Sequence, residues 1–202
     1  MDKRRFLSDV GKASLAAGAF FVSTRAQAQP APIGAKILIA YHSVSGNTEK
    51  MAQGIGEGCT STPNVTVVLK RVSEIATEDL LTADAVIVGS PVYFGTMSGE
   101  VKTFFDNWLL KFGVFRDLKM RNKIGAAFAT GGSISNGKET TVQAIHTAML
   151  INQMSVVSVG GGFGATATTG PDSPGIDDKE LEVARALGKR VAEFTMLRAT
   201  VK

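Results

Sequence analysis

Short apolar segments alternate with longer amphipathic segments along most of this 202-residue chain, and this alternation constrains the fold more than any other feature. The apolar segments predict five strands, at residues 36–41, 65–71, 85–89, 123–130 and 155–159. They are rich in Val, Ile and Ala on both faces, which is typical of a parallel sheet that helices cover on both sides. The remaining segments predict helices at residues 48–60, 77–81, 99–112, 138–152 and 178–197.

This order predicts an α/β fold of three layers, with right-handed crossovers between parallel strands. Five strands in a domain of this size suit the doubly wound order 2-1-3-4-5. Ligands bind such sheets outside the carboxyl ends of the strands, at the switch point between strands 1 and 3. We therefore expect the loops that follow strands 1, 3 and 4 to converge on one functional site.

The loop after the first strand is predicted to bind an anion. An apolar run that ends at Tyr41 leads through a polar loop directly into a helix, where unpaired N–H groups and the helix dipole favour negative charge. The loop holds no Lys or Arg, and it lacks the terminal Gly-Lys-Ser/Thr of nucleoside triphosphate sites. The pattern favours one terminal phosphate, bound by Ser43, Val44, Ser45, Gly46, Asn47 and Thr48.

The loop after the third strand combines two adjacent aromatic side chains with a glycine. Large planar side chains beside backbone that a ligand can approach closely suit a flat heterocycle. The alternative is that the two aromatic side chains cap the hydrophobic core. The residues predicted to contact a ring system are Pro91, Val92, Tyr93, Phe94 and Gly95.

The loop after the fourth strand is rich in glycine, so its backbone N–H groups are able to approach a ligand closely. The alternative is that the glycine residues only make this loop flexible. A further segment, residues 160–175, is long and without periodicity, and it is predicted to fold over the site as a lid. The binding residues predicted in the fourth-strand loop are Thr130, Gly131, Gly132 and Ser133.

Together the three loops describe a terminal phosphate, a planar ring system and a gap the size of a ribityl chain between them. FMN is the cofactor that fits this description best. The Gly-x-Gly-x-x-Gly fingerprint of dinucleotide sites is absent after the first strand, so a primary NAD or FAD site of that type is not expected. No cluster of His, Cys and carboxylate residues has metal-ligand spacing, and no metal site is predicted.

The chain resembles the flavodoxin-like NAD(P)H:quinone oxidoreductases of the Trp-repressor-binding-protein type and, more distantly, flavodoxins. The resemblance spans roughly residues 35–196 and implies a flavodoxin-like fold. It also implies an FMN phosphate on residues 43–48 and an isoalloxazine ring against residues 92–95 and 130–133. The motifs that carry it are Tyr-His-Ser-Val-Ser-Gly-Asn-Thr at 41–48, Gly-Ser-Pro-Val-Tyr-Phe-Gly-Thr-Met-Ser-Gly at 89–99, Lys-Thr-Phe-Phe-Asp at 102–106 and Phe-Gly-Ala-Thr at 163–166.

The resemblance implies two-electron reduction of quinones by NADH or NADPH, with both substrates using the same face of the flavin in turn. The flavin would carry the chemistry, and Tyr93, which stands where the family often has Arg, is the candidate catalytic side chain. The insertion that contributes to the family's tetramer is replaced by a short connection at residues 75–83. The resemblance thus implies a homotetramer, and the missing insertion makes a homodimer the alternative.

Two other functions are compatible with this sequence. One is an electron-transfer flavoprotein that exchanges electrons with protein partners and does not turn over NAD(P)H. The other is a ligand-binding or regulatory protein with the same fold. Flavodoxins are usually strongly acidic on their docking face, whereas residues 29–202 hold 17 basic and 16 acidic residues, which argues against the first of these.

Residues 1–28 have the features of an export signal. A basic cluster, Lys3-Arg4-Arg5, precedes a short apolar stretch and the small-residue cleavage site Ala26-Gln27-Ala28. The cluster resembles the twin-arginine motif imperfectly, and the general secretory route is the alternative. Because the apolar stretch is too short to span a bilayer, we expect residues 29–202 to be an exported, periplasmic domain without a membrane span.

Most of the formal net charge of +4 lies in that segment, which holds five basic and two acidic residues. The remaining chain is nearly neutral, so no nucleic-acid partner is expected. The single cysteine, Cys59, cannot form an internal disulfide, and it is predicted to be a buried structural thiol rather than a reactive one.

Overall fold

We describe the protein from a computed structural model, which describes residues 34–170 and 175–200. The predicted export signal lies outside the described residues, as do residues 171–174 of the predicted lid. Within the described ranges, no helix is both long enough and apolar enough to cross a bilayer.

Strands and helices alternate as predicted, with one short antiparallel strand added. The strands are β1 (Ala35–Tyr41), β2 (Val65–Arg71), β3 (Ala85–Tyr93), β4 (Thr96–Met97), β5 (Ile124–Gly131), β6 (Ser155–Val156) and β7 (Ala165–Thr168). The helices are α1 (Asn47–Thr60), α2 (Thr77–Thr82), α3 (Gly99–Leu110), α4 (Lys138–Ile151) and α5 (Asp178–Thr200).

The parallel strands are ordered β2-β1-β3-β5, and both β6 and β7 pair with the free edge of β5. Because β6 and β7 share the position of a fifth strand, the predicted order 2-1-3-4-5 is confirmed. The antiparallel β4 pairs only with the end of β3, as a hairpin.

Helices cover both faces of this sheet, which confirms the predicted three layers. Successive residues of β1 face opposite layers. Ile37 and Ile39 pack in the core that α1 and α5 complete, whereas Leu38 and Ala40 pack in the core that α3 and α4 complete. All four side chains are fully buried, which explains why this strand has no polar face.

The fifth strand is interrupted, which corrects the prediction of one strand over residues 155–159. Only two residues of β6 pair with β5, and pairing resumes at β7. Between them, Gly160 and Gly161 have φ angles of 64° and 76°, which a regular strand does not allow. The lid prediction is also wrong in part, because residues 165–168 are strand β7 within the sheet.

The helices α1 and α5 approach each other closely where small residues meet. A Cβ atom added at Gly188 would lie 1.9 Å from the carbonyl oxygen of Ile55, so only glycine permits this crossing. Cys59 is fully buried at the same crossing, where its Sγ lies 3.3 Å from the carbonyl oxygen of Gly188. Burial raises the pKa of its thiol to about 12, which agrees with the predicted structural role.

Candidate functional site

The three loops that were expected to converge lie together at the carboxyl ends of β1, β3 and β5. We call residues 43–48 the first loop, residues 91–95 the second loop and residues 130–137 the third loop. The hydroxyl groups of Thr48 and Thr130 are 2.8 Å apart in a buried hydrogen bond that joins the first loop to the end of β5. Gly137, at the end of the third loop, lies so close to the hairpin that an added Cβ would be 2.5 Å from the carbonyl oxygen of Gly95. The topology thus assembles one site from segments that are distant in sequence.

The first loop presents hydrogen-bond donors that the protein leaves uncapped. Gly46 precedes α1 with a φ of 86° and has no side chain that could cap the first helical turn. The side chain of Ser43 is buried, yet its Oγ has no hydrogen-bond partner among the described residues. A buried, unpaired hydroxyl costs about 1–3 kcal/mol, so an acceptor such as a phosphate oxygen would stabilise this arrangement.

Arg71, which the sequence analysis missed, supports the first loop from the neighbouring strand. Its Nη1 donates to the carbonyl oxygen of Ser43 at 2.6 Å, and its Nη2 lies 2.7 Å from Oε2 of Glu49. Because a trans peptide points its C=O and N–H in opposite directions, this contact turns the N–H of Val44 away from the guanidinium. Arg71 pairs in register with Tyr41 across β1 and β2, and only that register reveals its role.

The second loop is a tight hairpin between β3 and β4 rather than an open loop. Its apex is Phe94 and Gly95, with φ angles of 50° and 84°, which is the type I′ pattern. A bulky residue with positive φ is strained, and the side chain of Phe94 is nevertheless fully exposed. The alternative that both aromatic side chains cap the core is therefore wrong for Phe94. The remaining predicted contacts lie in β3 and are Pro91, Val92 and Tyr93.

The third loop begins as predicted, at the end of β5. Thr130 and Gly131 are buried and still within the strand, whereas Gly132 and Ser133 lie in the turn beyond it. The N–H of Thr169, just after β7, donates to the carbonyl oxygen of Gly131 at 2.8 Å. The segment after β7 is thus packed against the base of the third loop.

Lys138, the first residue of α4, anchors the third loop. Like that of Arg71, its role was not predicted from the sequence. Its side chain is buried, with only 4% of the residue exposed. Its Nζ donates to the carbonyl oxygens of Ser133 and Ile134 at 2.7 and 3.0 Å, and to Oγ1 of Thr168 at 2.8 Å. A lysine that follows a glycine-rich loop carries no sequence signal for burial, because lysine is normally exposed.

Tyr93, the candidate catalytic residue, lies beside two other titratable side chains. It is partly exposed and packs edge-on against His42, with ring centroids 6.5 Å apart. The Nε2 of His42 lies 3.6 Å from Oε2 of Glu100, which is too long for a hydrogen bond. A cleft of about 580 Å³ next to Tyr93 is lined by residues of α3 and by the turn after β2.

This set of groups suits a phosphorylated aromatic cofactor rather than a metal ion. Uncapped N–H groups and the Ser43 hydroxyl provide donors for a phosphate, and the hairpin presents Phe94 and Tyr93 as planar surfaces. Within the described ranges, no three His, Cys, Asp or Glu residues are arranged to hold a metal ion. The residues present therefore fit FMN.

Comparison with known proteins agrees with this fit. Residues 66–167, about half of the chain, match the family model of NADPH-dependent FMN reductases. The chain is 36% identical to a flavodoxin of Aquifex aeolicus over 80% of this chain and 88% of that protein. It is 30% identical to an NAD(P)H dehydrogenase (quinone) of Chromohalobacter salexigens over 79% of this chain and 96% of that protein.

A solved structure has the same fold as this chain. The flavodoxin, WrbA-like protein from Agrobacterium tumefaciens superposes with a TM-score of 0.70 at 26% identity, over 81% of this chain and 99% of that one. The chain therefore belongs to the flavodoxin-like family of FMN-binding NAD(P)H:quinone oxidoreductases.

Proposed function

We propose that this protein binds FMN and catalyses two-electron reduction of quinones by NADH or NADPH. The observation that carries the proposal is the buried hydroxyl of Ser43, which has no hydrogen-bond partner in the described part of the chain. It lies beside the uncapped start of α1, and together they provide a phosphate site. The proposed phosphate contacts are Ser43, Val44, Ser45, Gly46, Asn47 and Thr48, and the proposed ring contacts are Pro91, Val92, Tyr93, Phe94, Gly95, Thr130, Gly131, Gly132 and Ser133.

In this proposal the protein binds and orients, while bound FMN supplies the chemistry of accepting a hydride and passing it on. The N–H groups of the first turn of α1 and the Ser43 hydroxyl hold the phosphate. The hairpin and the third loop would then form two walls around the ring. Nicotinamide and quinone would then use the open face of the ring in turn.

The direct test is anaerobic mixing of the FMN-loaded protein with NADH or NADPH. We expect the flavin absorbance to bleach within seconds and to recover when a quinone is added, with ping-pong kinetics in the steady state. A Tyr93→Phe variant tests the role of its hydroxyl group. Flavin that stays oxidised with both nicotinamides would reject the reductase proposal.

The second candidate is an electron carrier of the flavodoxin type, and the similarity to the Aquifex aeolicus flavodoxin favours it. In that case the flavin would bleach slowly with NADH but rapidly with a reduced electron-transfer protein. The same experiment therefore separates the two functions, provided that FMN is bound in both.

We also propose that residues 1–28 direct export to the periplasm and are removed there. Cell fractionation followed by N-terminal sequencing of the protein tests this, and an intact N-terminus in the cytoplasm would reject it. The homodimer or homotetramer stays a prediction, which light scattering of residues 29–202 with bound FMN would test.

A further inference from the structure

The position of Lys138 is electrostatically unusual. Its ammonium group is buried at the first residue of α4, where the helix dipole is positive and disfavours a cation. Among the described residues it forms no ion pair with a carboxylate, and its partners are two carbonyl oxygens and one hydroxyl. A buried ammonium group costs free energy unless its donors are paired, and these three hydrogen bonds satisfy all three donors, so the site is able to hold a positive charge.

The carboxylate in the same network does not neutralise this charge. Oε1 of Glu180 accepts a hydrogen bond from the backbone N–H of Thr168 at 2.8 Å, and Oε2 accepts one from the N–H of Asp177 at 3.2 Å. No oxygen of Glu180 lies within ion-pair distance of Lys138. Among the described residues, Lys138 therefore has no direct ion-pair partner, although Glu180 belongs to the same hydrogen-bond network through Thr168.

Lys138 also sets the direction of two backbone donors. The carbonyl groups of Ser133 and Ile134 both point at Nζ. Since the peptide bonds are trans, the N–H groups of Ile134 and Ser135 point to the opposite side of the loop. Neither N–H donates a hydrogen bond within the described ranges. Within the described ranges, the third loop thus presents the N–H groups of Ile134 and Ser135 as free donors on one side. The ammonium group of Lys138 lies on the opposite side of the loop.

We propose that Lys138 and the third loop stabilise negative charge on the reduced flavin relative to the oxidised flavin. This inference rests on the proposed FMN site, in which the third loop forms one wall around the ring. Transfer of a hydride from NAD(P)H adds two electrons and one proton to the flavin, so the product carries one additional negative charge. A nearby buried cation and oriented N–H groups favour that product.

The test compares the affinities of the protein for oxidised and two-electron-reduced FMN. The variants Lys138→Met and Lys138→Gln remove the charge, and Gln keeps an amide donor for the same carbonyl groups if the Met variant does not fold. Lys138→Arg keeps the charge. Lys189→Met is the matched control for net charge, because Lys189 is an exposed residue of α5.

In the uncharged variants we expect the affinity for reduced FMN to fall at least tenfold more than the affinity for oxidised FMN. For this two-electron couple, a tenfold change corresponds to a midpoint potential lower by about 30 mV. The Arg variant and the Lys189 control should keep the wild-type ratio of affinities within about twofold.

A purely structural role for Lys138 would give a different result. Loosening the third loop would weaken both redox forms by the same factor, and the ratio of affinities would not change, which would overturn the inference. If the wild-type protein binds no FMN in either form, then the proposed function itself fails. The two failures are therefore distinguishable.

Discussion

The hydroxyl group of Ser43 is the atom on which the phosphate site most depends. We expect Ser43→Ala to weaken FMN binding by about 1–2 kcal/mol, because a hydrogen bond to the phosphate is lost. The same variant should keep or increase the stability of the apoprotein, since it removes a buried hydroxyl that has no hydrogen-bond partner among residues 34–170 and 175–200. Flavin fluorescence quenching and urea denaturation measure the two effects. Ser155→Ala, at an exposed strand position, is the control, and equal FMN affinities for both variants would contradict the assignment.

Phe94 is a second residue at which binding and stability are expected to oppose each other. Its φ of 50° suits asparagine better than phenylalanine. We expect Phe94→Asn to raise the free energy of unfolding of the apoprotein by about 1 kcal/mol and to weaken FMN binding, because a planar contact is removed. Measurements of thermal unfolding and FMN titration test this. A variant that is less stable than the wild type would show that the turn is not strained.

Individual site residues were predictable from sequence only where they follow one another along the chain. Ser43 and Phe94 belong to contiguous loops of recognisable composition. Arg71 and Lys138 act through contacts with distant segments, such as the register of β2 against β1 and the approach of β7 to the third loop. Nothing in the local sequence specifies those contacts.

Among the elements, the crossing of α1 and α5 depends on glycine for a steric reason. A Cβ at Gly188 would overlap the carbonyl oxygen of Ile55, whereas a Cβ at Gly56 would meet only side-chain atoms at 3.7 Å or more. We expect Gly188→Ala to lower the free energy of unfolding by about 1–3 kcal/mol. Gly56→Ala should be neutral or stabilising by up to about 1 kcal/mol, and urea denaturation compares the two. Similar effects of both substitutions would contradict close packing at Gly188.

The elements themselves were largely predictable because their pattern is strong. Buried apolar runs such as that of β1 identify the parallel strands, and their order follows from the alternation with helices. The division of the fifth strand into β6 and β7 was not predictable from periodicity. It depends on a glycine-rich excursion from the sheet edge and on the return of Ala165 beside Phe128, which is a long-range contact.

At the scale of the whole molecule, we expect His146 to make the free energy of unfolding depend on pH. Burial lowers the pKa of His146, so the unfolded chain binds a proton at this residue more readily than the folded protein. Stability should therefore fall as the pH decreases through about 6.5, the usual histidine pKa. We expect the stability of the wild type relative to His146→Leu to decrease between pH 7.5 and 5.5. Parallel stability curves in urea for the two proteins would contradict this.

In the proposed function, three loops at one sheet edge bind a flavin through its phosphate. The most direct measurement is a titration of the apoprotein with FMN and, separately, with riboflavin, which lacks the phosphate, followed by flavin fluorescence. The site predicts that FMN binds at least tenfold more tightly than riboflavin, because the start of α1 and Ser43 contact only the phosphate. Equal affinity for the two flavins would show that the phosphate is not bound at this site, and no binding of either would show that the protein has no flavin site.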